Sequence, residues 1–170
     1  NTNTGGTAIS DATSNTYDTG VFSSIDTFYY YLEATLDGIG CDLATSDVFT
    51  VNVVANPVID AQAIASQEIC QSTTLEALEV VVSGNTNTGD FSYQWFSNTT
   101  NTNSGGTLIG TNTNTYTPDN STVGSFFYYV VINQTASGCE VTSEVSTIII
   151  NEGPTITTQP VGSDICLDGA

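Results

Sequence analysis

The sequence predicts an all-β fold of tandem antiparallel β-sandwich repeats, each about 97 residues long. Landmarks recur in the same order along the chain, and short aromatic or β-branched segments alternate with turn residues. No segment shows a convincing apolar period of about 3.6 residues, as an amphipathic helix would. The abundant Thr, Asn and Ser residues also favour strands and turns.

The repeat is visible in five landmarks that keep their order. The offset between copies falls from 100 to 96 along the chain, as expected when insertions and deletions lie in loops. The matching pairs are "NTNTGGTAIS" (1–10) with "NTNSGGTLIG" (101–110), Tyr17 with Tyr116, "FYYYLEATLDGIGC" (28–41) with "FFYYVVINQTASGC" (126–139), Pro57 with Pro154, and Cys70 with Cys166.

This register divides the chain into three parts. Residues 1–55 correspond to the C-terminal part of a preceding repeat, residues 56–152 to a complete repeat, and residues 153–170 to the start of the following one. We therefore expect the sequence to be a window from a longer array.

Six segments of the complete repeat are predicted to be strands. The first two are "VIDAQAI" (58–64) and "LEALEVVVSG" (75–84). The second of these alternates apolar and polar residues and then becomes continuously apolar. The third, "FSYQWFS" (91–97), follows a "GNTNTGD" turn. Next come the glycine-bounded "GTLIG" (106–110), the long run "SFFYYVVIN" (125–133) and the closing "SEVSTIIIN" (143–151). Short strands at this spacing are typical of a sandwich.

The run at 125–133 is apolar on both faces. Side chains alternate along a strand, so Phe126, Tyr128 and Val130 point one way and Phe127, Tyr129 and Val131 the other. This pattern favours a central strand with partial cover outside. The alternative is a surface stripe formed by Phe127, Tyr129 and Val131, available for stacking on sugars or for side-by-side packing of fibres.

Charge excludes several functions. The chain has 18 Asp and Glu residues and no Lys, Arg or His, for a net charge of -18. Without cations it has nothing to neutralise phosphates or anionic headgroups, so neither nucleic acid nor a charged membrane surface is an expected partner. It also lacks a histidine base and a lysine nucleophile, so we predict no enzyme activity and no cofactor.

The acidic residues are scattered singly and form no calcium-loop motif, so a solvated acidic surface explains them better than a metal site. Cys41, Cys70, Cys139 and Cys166 form no C-x-x-C pair, which disfavours zinc and favours disulfides in an oxidising compartment. No apolar run reaches about 18 residues, so no segment is predicted to span a membrane. Candidate glycosylation sequons begin at Asn98, Asn120 and Asn133, although chance matches are common in a sequence rich in Asn and Thr.

The order "LEVVVSG…YQWF…NSGGTLI…TYTP…VGSFFYYVV…GCEVTSEV" resembles the immunoglobulin-like tandem repeats of giant secreted surface proteins and adhesins of Bacteroidota. The resemblance covers essentially the whole chain. It implies an extracellular, cell-surface protein associated with attachment or gliding.

The resemblance also implies roles for individual residues. Trp95 stands where immunoglobulin domains bury a strand-C tryptophan, and Phe126 and Tyr128 would join it in the core. In "GSFFY" (124–128), Phe126 replaces the usual corner tyrosine and Tyr128 the usual cysteine. Cys70 would then pair with Cys139. The register would leave Cys41 and Cys166 to partners outside the window.

These expectations favour a structural stalk or fibre segment of a repetitive surface adhesin, which projects a binding region away from the cell. Its partners would be neighbouring repeats of the same chain, together with lateral copies or surface glycans. Two alternatives remain open: a subunit of a self-assembling extracellular filament joined by strand exchange, and a carbohydrate-binding module that depends on Tyr129.

Overall fold

The computed structural model describes residues 3–35, 43–84 and 91–164, which form strands and no helix. The strands before the complete repeat are β1 (Asp26–Tyr30), β2 (Glu33–Ala34), β3 (Ala44–Thr45) and β4 (Phe49–Val53). Within it are β5 (Val58–Ala61), β6 (Ser66–Cys70), β7 (Leu78–Glu79), β8 (Val81–Ser83), β9 (Phe91–Asn98), β10 (Thr107–Ile109), β11 (Thr115–Tyr116), β12 (Gly124–Gln134), β13 (Glu140–Thr142) and β14 (Ser146–Asn151).

The larger sheet of the complete repeat is built around β12. Its strand order is β10-β9-β12-β14-β6, and β13 pairs with the end of β12. All neighbours are antiparallel except β14 and β6, which run parallel. Because β9 and β14 flank β12, the expectation of a central strand in this position is confirmed.

A second layer covers one face of this sheet. It consists of the pairs β5–β8 and β11–β7. Leu78 and Val80 of this layer are fully buried and pack against the inward side chains of the larger sheet. Those side chains include Trp95, Tyr128, Val130, Ile132, Ile148 and Ile150. Two layers around one apolar core confirm the predicted all-β sandwich.

The chain enters and leaves the sandwich at opposite ends. At the entry end, Val58 pairs with Ser83, and the next strand along the chain, β9, begins at Phe91 opposite Gln134. At the exit end, β14 finishes at Asn151, one residue beyond the Ile150–Gly124 pair. The 11 residues of β12 connect the two ends. At about 3.4 Å per residue they span roughly 35 Å.

This geometry corrects the predicted disulfide. Cys70 and Cys139 are free thiols. Cys70 lies at the exit end opposite Asn151, whereas the carbonyl of Cys139 accepts a hydrogen bond from the Gln134 amide at the entry end. A disulfide needs Cα atoms within about 7 Å, and these cysteines are separated by roughly the length of β12. The predicted pairing is therefore wrong. Cys41 and Cys166 lie outside the described residues.

Candidate functional site

The three residues predicted for the core lie in one aromatic cluster. Trp95 is 1% exposed, and its indole Nε1 donates a hydrogen bond to the Thr113 carbonyl at 2.9 Å. Its ring stacks on Tyr116 with 5.9 Å between centroids, and Tyr116 contacts the buried Tyr128 at 5.6 Å. Phe126 is half-buried and packs against the same cluster. The indole thus ties the larger sheet to the segment that carries β11.

Burial perturbs the acidity of this cluster. It raises the pKa of Tyr128 to about 12, with smaller contributions from the nearby Tyr116 and Asp119. Burial, followed by the Asp119 charge, also raises the pKa of Tyr116. Hydrogen bonds from the Ser121 amide and hydroxyl lower the pKa of the Asp119 carboxyl. The neutral phenol is therefore the form that the fold accommodates.

We predict that alkaline pH destabilises the complete repeat through Tyr128. Its pKa is about 12 in the folded chain and about 10 when unfolded, so the unfolded state loses the proton first. The free energy of unfolding should therefore fall as pH rises from 10 to 12. Urea unfolding followed by circular dichroism at pH 8, 10 and 11.5 measures this. Tyr128→Phe should flatten the decline, and an equally steep decline in that variant would refute the assignment.

The outward-facing side chains of β12 do not form the open stripe that was one reading of the sequence. Tyr129 is only 3% exposed, and its ring lies nearly parallel to Phe96 with 5.0 Å between centroids. Its hydroxyl accepts a hydrogen bond from the Gly106 amide at 3.1 Å. Phe127 and Val131, on either side, are half-buried. Tyr129 therefore offers no free face for sugar stacking, which corrects that reading.

A shallow depression of about 420 Å³ lies further along this outer face. Gln94, Phe96, Asn133 and Glu140 line it, together with four other residues. The Gln94 amide nitrogen already donates to the Ile109 carbonyl at 3.1 Å, so part of its polar surface is used within the fold. Two half-buried aromatic residues, Tyr93 and Phe96, and one carboxylate could hold a small polar ligand, but they provide no pair of acid and base groups.

Two of the three candidate glycosylation sites are occupied by internal hydrogen bonds. The Asn98 side-chain nitrogen donates to the Thr102 carbonyl and hydroxyl and to the Ser104 carbonyl, at 3.0–3.2 Å. The Asn120 nitrogen donates to the Thr73 carbonyl. Asn133 is half-buried beside Glu140, its partner on β13. A sugar attached to Asn98 or Asn120 would have to displace these hydrogen bonds.

A glycine–tyrosine contact occurs in both copies of the repeat. In the complete repeat the Gly106 amide donates to the Tyr129 hydroxyl at 3.1 Å; in residues 3–55 the Gly6 amide donates to the Tyr31 hydroxyl at 2.8 Å. The preceding glycines, Gly5 and Gly105, both have left-handed backbones, with φ of 72° and 69°. The same turn therefore holds the same tyrosine in each copy.

A serine contact recurs in the same way. The Val130 amide donates to the Ser143 hydroxyl at 2.9 Å, and the Ser143 amide returns a bond to the Val130 carbonyl at 2.9 Å. Leu32 and Ser46 repeat both bonds at 2.8 and 2.9 Å. An asparagine also bonds the serine carbonyl in each copy, Asn103 at 3.0 Å and Asn3 at 3.3 Å.

The aromatic pair of the core recurs as well. Tyr17 contacts Tyr30 at 6.3 Å and 45°, as Tyr116 contacts Tyr128 at 5.6 Å and 43°. Three kinds of contact thus match at the positions that the sequence register pairs. The sequence landmarks therefore coincide with one repeated local structure.

Among the described residues, the first copy contains no counterpart of β9. β12 pairs on both edges, with β9 and β14, whereas β1 pairs only with β4. Between β1 and the segment that holds the glycine turn lies a groove of about 740 Å³. Its apolar lining is exposed: Leu32 is 48% exposed, whereas its counterpart Val130 is fully buried. The repeat register predicts exposed core surface here, because residues 1–55 match only the part of the complete repeat that begins near residue 101.

No grouping of three or more His, Cys, Asp or Glu side chains suited to a metal ion occurs within residues 3–35, 43–84 and 91–164. In those same ranges no helix is long and apolar enough to cross a membrane. No protein-family model matches the chain. A comparison with curated proteins also finds no significant match.

Proposed function

We propose that the complete repeat is a structural unit of a stalk or fibre in a repetitive extracellular cell-surface adhesin. The observation that carries this proposal is that the chain enters and leaves the sandwich at opposite ends. β5 begins at the entry end and β14 finishes at the exit end. A unit joined at opposite ends extends an array with each copy. The recurrence of the glycine–tyrosine and serine contacts supports a series of like units.

The joint at the entry end is partly fixed. Pro57 is buried, and its ring restricts φ. Gly84 has a φ of +94°, and a Cβ atom there would lie 2.9 Å from the Asn56 carbonyl oxygen. The chain therefore passes closely against the body of the sandwich before β5 begins. Such a joint favours a defined angle between neighbouring units over free rotation.

The negative charge of the chain also supports a role as a stalk. A chain with a net charge of -18 repels its copies at low ionic strength, which keeps stalks apart and in solution. A self-contained core in each unit lets the array resist proteolysis without a ligand or cofactor. The two-layer arrangement with the buried Trp95 also supports the proposed kinship with immunoglobulin-like repeats.

Covalent arrays of the unit test this function. Every member of the core cluster lies between Ile59 and Ile150, so residues 56–152 retain the whole core. We expect one-, two- and four-copy arrays to grow by roughly 35 Å per unit in maximum dimension. Small-angle X-ray scattering measures this at moderate ionic strength.

The matched control replaces Asn56-Pro57 at each joint with Gly-Ser. Because this linker is flexible, the four-copy control should have a shorter mean end-to-end distance at the same mass. A four-copy array that collapses to a compact particle would contradict the stalk. Surface labelling of intact cells with antibodies to the unit then tests its location.

The alternative is a subunit of a self-assembling extracellular filament, in which separate chains join by strand exchange. Electron micrographs with breaks at regular intervals would favour this assembly over a continuous covalent stalk.

A further inference from the structure

We infer that Cys70 of one repeat forms a disulfide with the cysteine that matches Cys139 in the next repeat, across the joint between them. This inference rests on the proposed function, because it requires repeats joined in tandem. The two cysteines lie at opposite ends of one sandwich. When copies follow one another, the exit end of each copy faces the entry end of the next. The register matches Cys41 with Cys139 and Cys70 with Cys166, so successive copies supply both partners.

Cys70 lies beside the point where the chain leaves the sandwich. It is the last residue of β6 and pairs with Asn151, the last residue of β14, and neighbouring strands are about 4.8 Å apart. Its carbonyl accepts hydrogen bonds from the Thr73 amide at 3.2 Å and the Thr73 hydroxyl at 2.6 Å. The residue itself is exposed. Its backbone is therefore held in place while its thiol remains accessible to a neighbouring unit.

Cys139 lies on the same edge of the sandwich, at the end where the chain enters. β13 and β14 follow each other along one edge of β12, and the Glu144 amide between them donates to Gln62 Oε1 at 3.0 Å. The two segments joined by this bond run in parallel toward the exit end. Cys139 precedes Glu144 by five residues, and Val58 precedes Gln62 by four. Cys139 and the first residue of β5 thus lie at the same end, in layers about 10 Å apart.

The joint between units is short enough to bring these cysteines together. Residues 152–154 connect Asn151 with Thr155, which the register matches with Val58. Even fully extended, this connection spans at most about 14 Å. A disulfide requires Cα atoms within about 7 Å, and each cysteine lies close to one end of the connection. The bond would fix the angle between neighbouring units.

Bond formation needs an oxidant, and a small-molecule disulfide such as glutathione disulfide is sufficient. The thiolate of one cysteine attacks this disulfide, which releases one glutathione thiolate and leaves a mixed disulfide. The second cysteine thiolate attacks the protein sulfur of the mixed disulfide and expels the other glutathione thiolate. The two protein thiols lose two protons and two electrons in total, and the glutathione disulfide is reduced to two glutathione thiols.

Two-copy arrays of residues 56–152 test the bond. The test array carries Cys139→Ser in the first copy and Cys70→Ser in the second, so its two remaining thiols flank the joint. The matched control carries Cys70→Ser in the first copy and Cys139→Ser in the second. Its two thiols lie at the outer ends, roughly 70 Å apart. Each array is equilibrated at low protein concentration with mixtures of reduced and oxidised glutathione.

Intact mass spectrometry measures the fraction of each array that has lost two hydrogens. Cleavage at glutamate residues identifies the linked peptides, because the chain has no Lys or Arg for trypsin. We expect the effective concentration of one thiol for the other to be at least about tenfold higher in the test array than in the control. A single copy with both cysteines should form no internal disulfide.

Free thiols in the test array, equal effective concentrations in the two arrays, or a bond within the single copy would each overturn the inference. The extended length of the arrays does not depend on this bond. An extended array whose joint thiols stay free would therefore contradict the disulfide alone. A compact array would contradict the stalk whether or not the bond forms.

Discussion

Trp95→Ala is expected to lower the free energy of unfolding of the complete repeat by about 3–5 kcal/mol, the usual cost of removing a buried aromatic ring. The indole is 1% exposed, contacts Tyr116 in the second layer, and bonds the Thr113 carbonyl. Alanine would leave a cavity between the layers and an unpaired carbonyl. A loss of this size is a large share of the stability of a domain of about 100 residues.

Chemical unfolding of residues 56–152, followed by far-ultraviolet circular dichroism, measures the loss without using tryptophan emission. Leu108→Ala is the matched control: Leu108 lies on the same sheet in β10 but is 63% exposed, so its truncation should cost less than about 0.5 kcal/mol. If Trp95→Ala were no more harmful than Leu108→Ala, the aromatic cluster would not be the centre of the core.

Local sequence patterns predicted the long strands closely because their signal is strong. The run predicted at 125–133 became β12, Gly124–Gln134, and "FSYQWFS" became β9, Phe91–Asn98. Both segments are dense in aromatic and β-branched residues with clear turn residues around them. The prediction for the preceding segment was partly correct: residues 75–84, predicted as one strand, form two short strands, β7 and β8, on either side of Val80.

β6 was missed, and the disulfide error follows from that omission. Ser66–Cys70 is a polar edge strand, and it pairs in parallel with β14, about 80 residues later in the chain. No local pattern reveals such a pairing. Without it, the end of the sandwich at which Cys70 lies was undetermined, and the prediction placed both cysteines at one end.

The cover over Tyr129 was hidden for a similar reason. Alternation along β12 correctly separated its two faces, but it could not show that Phe96 and the glycine turn lie over the outer one. Burial of that face depends on a neighbouring strand and a loop. A pattern confined to one strand reports which way a side chain points, and the packing partner decides whether it is exposed.

Gly106→Ala is expected to lower the free energy of unfolding of the complete repeat by about 2–3 kcal/mol, the scale of overpacking in a well-packed site. A Cβ atom at this position would lie 2.7 Å from the Ser97 carbonyl oxygen, 3.0 Å from the Tyr129 ring and 3.2 Å from Phe96 Cβ. Ser97 pairs with Thr107, so its carbonyl cannot withdraw without disturbing the edge of the sheet. Thermal and urea unfolding of residues 56–152 measure the cost.

Two neighbouring substitutions separate close approach from backbone strain. Gly105→Ala introduces a side chain into open space at a φ of +69°, so it should cost about 1 kcal/mol from left-handed strain alone. Gly6→Ala, made in the complete chain, is the second comparison. A Cβ atom there meets only the outer atoms of the Tyr31 ring, which can rotate away. Because Gly6 lies outside residues 56–152, the stability of the complete repeat should be unaffected. If Gly106→Ala cost no more than Gly105→Ala, the contact between the turn and Ser97 would not be tight. Backbone conformation would then require a glycine only at Gly105, and the cover over Tyr129 would be free to move.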